Sequence, residues 1–144
     1  MKVLLKSVLP LLLLFFGVHV SAQSKAEKEI RNILETQNQA WNKGNLDEFM
    51  IGYWNNDSLL FVGSNGPKYG WQTTLENYKK GYPDTAYMGK LHFDILQIKK
   101  LSKKNYLVLG KWFLKRSVGD AGGFFTLLFQ RIKNKWVIIA DHSS

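Results

Sequence analysis

The chain changes its hydrophobic period part-way along, and that switch limits its fold more than any other feature. As far as Tyr82, apolar residues recur every three or four positions. Beyond it come runs rich in β-branched and aromatic residues: Leu91 to Ile98, Tyr106 to Val118, Gly123 to Ile132 and Trp136 to His142. Ser102-Lys103-Lys104-Asn105, Gly119-Asp120-Ala121-Gly122 and Lys133-Asn134-Lys135 separate them, each of hairpin length. The four runs are therefore expected to form an antiparallel meander. Helices followed by strands define an α+β domain, with N-terminal helices packed on one face of a curved, mostly antiparallel sheet.

Three helices are expected in the first half. Ser24-Lys25-Ala26-Glu27 is a capping box, and Ile30, Ile33, Leu34, Gln37 and Trp41 follow on one helical face. Gly44 suits a left-handed stop, and Asn45-Leu46-Asp47-Glu48 starts a short helix through Phe49, Met50 and Tyr53. Ser58 to Val62 reads as a short strand, and Gly63-Ser64-Asn65-Gly66-Pro67 as a loop. A third helix is expected from about Gly70 to Lys80, with Leu75, Tyr78 and Tyr82 inward and Gly81 and Pro83 closing it.

Residues 1–22 stand apart from this pattern. Lys2 and Lys6 precede the mostly apolar stretch Val8 to Val20, and Val20-Ser21-Ala22 offers small residues at a cleavage point before Gln23. The stretch is short for a bilayer span of roughly 20 residues, so a signal peptide is expected. The mature domain is then 23–144, exported to the periplasm or medium, with no stable membrane insertion after cleavage. The formal charge is +9, and loss of Lys2 and Lys6 still leaves a basic domain. Export separates it from nucleic acid, so none is expected as a partner. Lys99, Lys100, Lys103 and Lys104 read as a solvated hairpin tip. The chain has no cysteine, which excludes disulfides, a thiol nucleophile and thiolate metal sites. Aromatic residues reach 14%, enough large side chains to build a compact core in one small domain.

Several segments carry a family resemblance. They are Ala40-Trp41-Asn42-Lys43-Gly44-Asn45-Leu46-Asp47, Leu59-Leu60-Phe61-Val62-Gly63, Gly110-Lys111-Trp112 and the terminal run Trp136 to Ser144. In order and spacing the chain resembles the SnoaL-like branch of the cone-shaped α+β barrel fold shared with nuclear transport factor 2 and ketosteroid isomerase. The resemblance covers 23–144 and implies an apolar pocket between helices and sheet. In enzymes of that fold the pocket holds an acid–base carboxylate and a donor to an enolate-like oxygen. The isomerase pattern does not carry over. Its first-helix tyrosine falls on Gln37, its general-base aspartate near Val62 or Gly63, and its protonated aspartate near Leu127 or Leu128.

Candidate site residues follow. Gln37 is either a pocket donor or a glutamine bonded to backbone at the edge of the apolar stripe. Tyr53, Phe61, Trp71 and Tyr78 would line the cone mouth in the family arrangement, with Trp41 and Trp112 beside them and Arg116 at the rim. His142 ends the last strand, where it either addresses the pocket or bonds within the sheet. Its neighbour Asp141 must face the other way. His92 and Asp94 share one strand face, either as a catalytic pair or as outward polar residues. Two histidines in the mature domain supply a metal poorly, and neither metal nor cofactor is expected. Lys111, Phe113 and Lys115 oppose Trp112 and Leu114, and both faces of the sheet read as apolar. A homodimer through the outer face is expected. Three functions fit: an exported domain binding a small hydrophobic molecule, an isomerase-, dehydratase- or cyclase-type enzyme with His92 or His142 as base, or a ligand-free dimerisation module.

Overall fold

The structure is a computed structural model that describes residues 23–144; the expected signal peptide lies outside the described residues. Helix α1 spans Lys25–Asn42. The Ser24 side chain accepts from the Glu27 N–H at 3.2 Å, and the Glu27 carboxylate accepts from the Ser24 N–H at 3.4 Å. This reciprocal box satisfies two otherwise orphan amides. Ile30, Leu34, Gln37, Ala40 and Trp41 form the buried stripe. Gly44, at φ 76°, turns the chain into α2, Leu46–Phe49, where the Asn45 side chain caps the Glu48 N–H. A 3-10 turn, Met50–Gly52, follows.

Strands β1 (Leu60–Gly63) and β2 (Gly66–Tyr69) precede α3 (Trp71–Gly81) and the four-residue α4 (Thr85–Met88). The meander is β3 (Lys90–Lys100), β4 (Asn105–Lys115), β5 (Ala121–Ile132) and β6 (Lys135–Ser143). All six strands make one sheet in the order β2-β1-β6-β5-β4-β3, antiparallel throughout except where β1 runs parallel to β6. The fold is α+β, with helices on one face of a cone-like sheet that does not close. Among the described residues no helix is long and apolar enough to cross a membrane.

Two elements differ from expectation. The presumed loop from Gly63 to Pro67 contains only a tight turn at Ser64-Asn65, and Val62 pairs with Pro67 on β2. Proline is tolerated there because β2 is an edge strand, and its missing N–H costs no ladder bond. Helix α4 follows Pro83, where Asp84 caps it by accepting from the Ala86 and Tyr87 N–H groups.

Two register shifts shape the sheet. One inserts Leu96 into β3, and the other inserts Ile139 into β6 opposite the Leu128–Phe129 step. Bulges of this kind bend a strand and increase its twist, which helps to curl the sheet around the helices. The core between them includes Ile30, Leu34, Met50, Leu59, Val108, Leu114, Phe129 and Ile138.

Candidate functional site

The inner sheet face does not pack fully against the helices. A hollow of about 100 Å³ remains, partly open to solvent. Trp41 of α1, Phe49 of α2, and Tyr78 and Tyr82 at the end of α3 form its helical wall, and the opposite wall includes Phe93, Trp112, Phe125 and Leu127. Trp41 is held by its indole N–H, which donates to the Met88 carbonyl at 3.0 Å. Its ring meets Tyr82 at 4.7 Å and Tyr78 at 5.9 Å, edge to face. Gly110 makes room on β4 for the Phe125 ring, which a Cβ at that position would strike.

Against this apolar lining stands one carboxylate. Asp141 of β6 is 3% exposed. The Tyr53 hydroxyl donates to its Oδ2 at 2.7 Å, and the Ser143 hydroxyl to its Oδ1 at 2.6 Å. The Tyr78 hydroxyl lies 3.4 Å from that of Tyr53, extending the chain of hydroxyls. Among the described residues no lysine, arginine or histidine lines the hollow. Burial raises the Asp141 pKa to about 6, against the opposing pull of the Ser143 and Tyr53 hydrogen bonds and the His142 charge. Burial, and then the Asp141 charge, hold Tyr53 and Tyr78 well above the usual tyrosine range. Tyr82 is also raised by burial, with Arg116 acting the other way. A carboxylate of this kind can exchange a proton near neutral pH or bind a donor or cation in a water-poor setting.

No family model matches the chain, and no curated protein matches it. Solved structures do. An NTF-2-like protein of unknown function from Shewanella oneidensis MR-1 is 44% identical, superposes with a TM-score of 0.79, and is matched over 83% of this chain and 98% of its own. The chain belongs to the NTF2-like family. Two more distant structures share the fold. An NTF2-like protein of unknown function from Pseudomonas putida KT2440 is 17% identical, with a TM-score of 0.66, over 83% of this chain and 85% of its own. A ketosteroid isomerase-like protein from Erwinia carotovora atroseptica SCRI1043 is 13% identical, with a TM-score of 0.65, over 84% and 96%.

In this NTF2-like domain the expected site residues divide. Gln37, Trp41, Tyr53, Phe61, Tyr78 and Trp112 line the hollow. Gln37 reconciles both of its readings, since it borders the hollow while its amide nitrogen donates to the Phe49 carbonyl at 3.0 Å. Three expected residues lie outside. Trp71 turns its indole N–H to the Met50 carbonyl and packs on the core. The Arg116 guanidinium donates to the Gly119 carbonyl at 2.7 Å and its amide to Asp120, so it closes the β4–β5 turn. His142 is exposed on the outer face beside Thr126. His92 is likewise exposed, opposite Phe113, with Asp94 opposite Lys111. Neither histidine lines the hollow, so the alternative of a histidine base working in it has no support from the geometry.

The exchange of His142 for Asp141 has a specific cause. Trp136 and Ile138 point inward, and simple alternation would bring His142 in after them. The extra residue Ile139 reverses the parity, so Asp141 and Ser143 face inward instead. Phe49, Tyr82, Phe93, Phe125 and Leu127 also line the hollow, and none of them stands out in the sequence as a site residue. The odd-numbered apolar run Phe125-Leu127-Phe129 was the available signal, but the even-numbered run beside it is nearly as apolar.

Proposed function

We propose that this NTF2-like chain is an exported domain that binds a small, largely apolar molecule in the aromatic hollow, with Asp141 and Tyr53 engaging its one polar end. The observation that carries the reading is a buried carboxylate, unpaired by any lining cation among the described residues, at the edge of space that neighbouring side chains leave unfilled. Buried charges are ordinarily paired, and unfilled apolar space is ordinarily packed. A domain that keeps both departures together is built for an occupant.

The size of the hollow limits that occupant. An apolar cavity of roughly 150 Å³ accommodates benzene, so about 100 Å³ fits a compact group of a few heavy atoms unless the walls move. Export rests on the pattern of Lys2, Lys6 and the apolar run before Ala22, and it predicts a mature N-terminus at Gln23. The domain acts as a homodimer through the outer sheet face, where Phe113 and Phe124 are 45% and 51% exposed.

A fragment library screened by thermal shift tests the binding reading, because a ligand of the native state alone raises Tm. Hits are expected that stabilise the wild-type protein and not Leu127→Trp, whose larger side chain fills the hollow. A library without such hits would contradict the reading.

A further inference from the structure

The hollow's charge and lining say which kind of small molecule it takes. Asp141 accepts one hydrogen bond at each carboxylate oxygen, from Ser143 and Tyr53. An ionised carboxylate has about four acceptor positions, so each oxygen keeps capacity for a further donor. Neither hydroxyl donor carries a charge, and among the described residues no lysine, arginine or histidine lines the space. Two cationic side chains act on it only from outside: Arg116 is turned to its own hairpin turn and His142 to the outer face.

The rings add a second argument. Tyr78 stands at 74–81° to Phe61, Phe49 and Trp41, and Trp41 stands at 74° to Tyr82. Rings crossed in this way present π-surface from several directions, and such surface attracts a cation more than a neutral group. An anion would meet the Asp141 charge with nothing to offset it. A neutral donor would satisfy a lone pair and leave the buried charge uncompensated.

We propose that the hollow binds a small organic ammonium ion, its N–H groups toward Asp141 and its short alkyl body among the rings of Trp41, Tyr78 and Trp112. This deepens the small-molecule reading above and rests on it. The volume of the hollow restricts the ion to a compact, short-chain amine.

Three probes that share a tert-butyl body provide the test, titrated calorimetrically into the purified protein near pH 8: the isosteres tert-butylammonium and tert-butanol, and the somewhat larger anion pivalate. The ammonium is expected to bind about tenfold or more tighter than the alcohol, and pivalate not measurably. In Asp141→Asn the ammonium should fall to the level of the alcohol, whose own affinity stays within a few-fold. Should that variant not fold, the wild-type protein at about pH 5 makes the same comparison, since a protonated Asp141 no longer attracts the cation. The titratable groups facing Asp141 are Tyr53 and Tyr78, both protonated across that range, with Tyr82 further along the wall. His142 is the neighbour on the opposite face, and the pH effect should survive in His142→Gln. Alcohol binding equal to the ammonium would overturn the cation assignment and leave the small-molecule reading standing. So would a preference for pivalate. Binding by none of the three also overturns the assignment, while the library screen decides the broader reading independently.

Discussion

Asp141 is held in a place that charges avoid. Its folded pKa of about 6 exceeds the ordinary 3.8, so the native state retains a proton that the unfolded chain releases between those values. By linkage, Asp141 favours the native state most below pH 4. That contribution falls as pH rises towards 6 and then levels off. At about 1.4 kcal/mol per tenfold change in proton affinity, the loss is of order 3 kcal/mol. Asp141→Asn is therefore expected to raise stability near pH 8 by roughly 1–3 kcal/mol in urea unfolding, with the gain vanishing near pH 4. Loss of stability at both pH values would mean that the carboxylate is a structural brace. Tyr53→Phe should act in the opposite direction. It removes the bond at 2.7 Å, costs about 1–3 kcal/mol at neutral pH, and pushes the Asp141 pKa higher still. At this scale the sequence was least legible. Asp141 and His142 are adjacent polar residues at a strand end, and only the strand's register decides which faces inward.

That register belongs to the elements. The helix caps at Ser24 and Asn45 and the four-strand meander were legible because each depends on near neighbours: a capping oxygen, a periodic stripe, a short turn. The bulge at Ile139 depends on what lies across the sheet, and nothing in Val137-Ile138-Ile139-Ala140 marks which residue is extra. Strand β2 was hidden for a related reason, since Gly66 and Pro67 signal a loop unless the strand is known to lie at an edge. The elements also explain how the hollow survives. Gly110 gives β4 a flat stretch over which Phe125 lies, and a Cβ there meets both that ring and the Asp94 carbonyl. Gly110→Ala should destabilise the domain by about 1–3 kcal/mol and disturb the hollow, as followed by chemical denaturation and the near-ultraviolet aromatic signal. Gly81→Ala, with nothing near its added methyl, should be neutral or stabilising by up to about 1 kcal/mol.

Across the whole molecule, the sheet divides two kinds of apolar surface. Its inner face closes on helices and leaves the hollow, while its outer face carries Leu107, Leu109, Phe113, Phe124 and Leu128 without helical cover. Lys111 lies 5.4 Å from the Phe124 ring centre and shields it partially. If the proposed homodimer buries this face, Phe124→Glu should weaken association by about 2 kcal/mol while the exposed starting position spares the monomer's stability. Sedimentation of both proteins at micromolar concentration checks it, and a monomeric wild-type protein would remove the dimer. The α+β class was legible at this scale because the change of period is a property of the entire chain. The hollow followed only from the family resemblance, because unfilled space depends on how side chains from α1, α2, α3 and five strands meet. Ligand binding in the hollow depends on that space being poor in water around Asp141. Carbon-13 NMR of the aspartate carboxyl groups across pH measures this directly. Asp141 is expected to titrate near 6, and a value at or below the ordinary 3.8 would mean that the space is not water-poor.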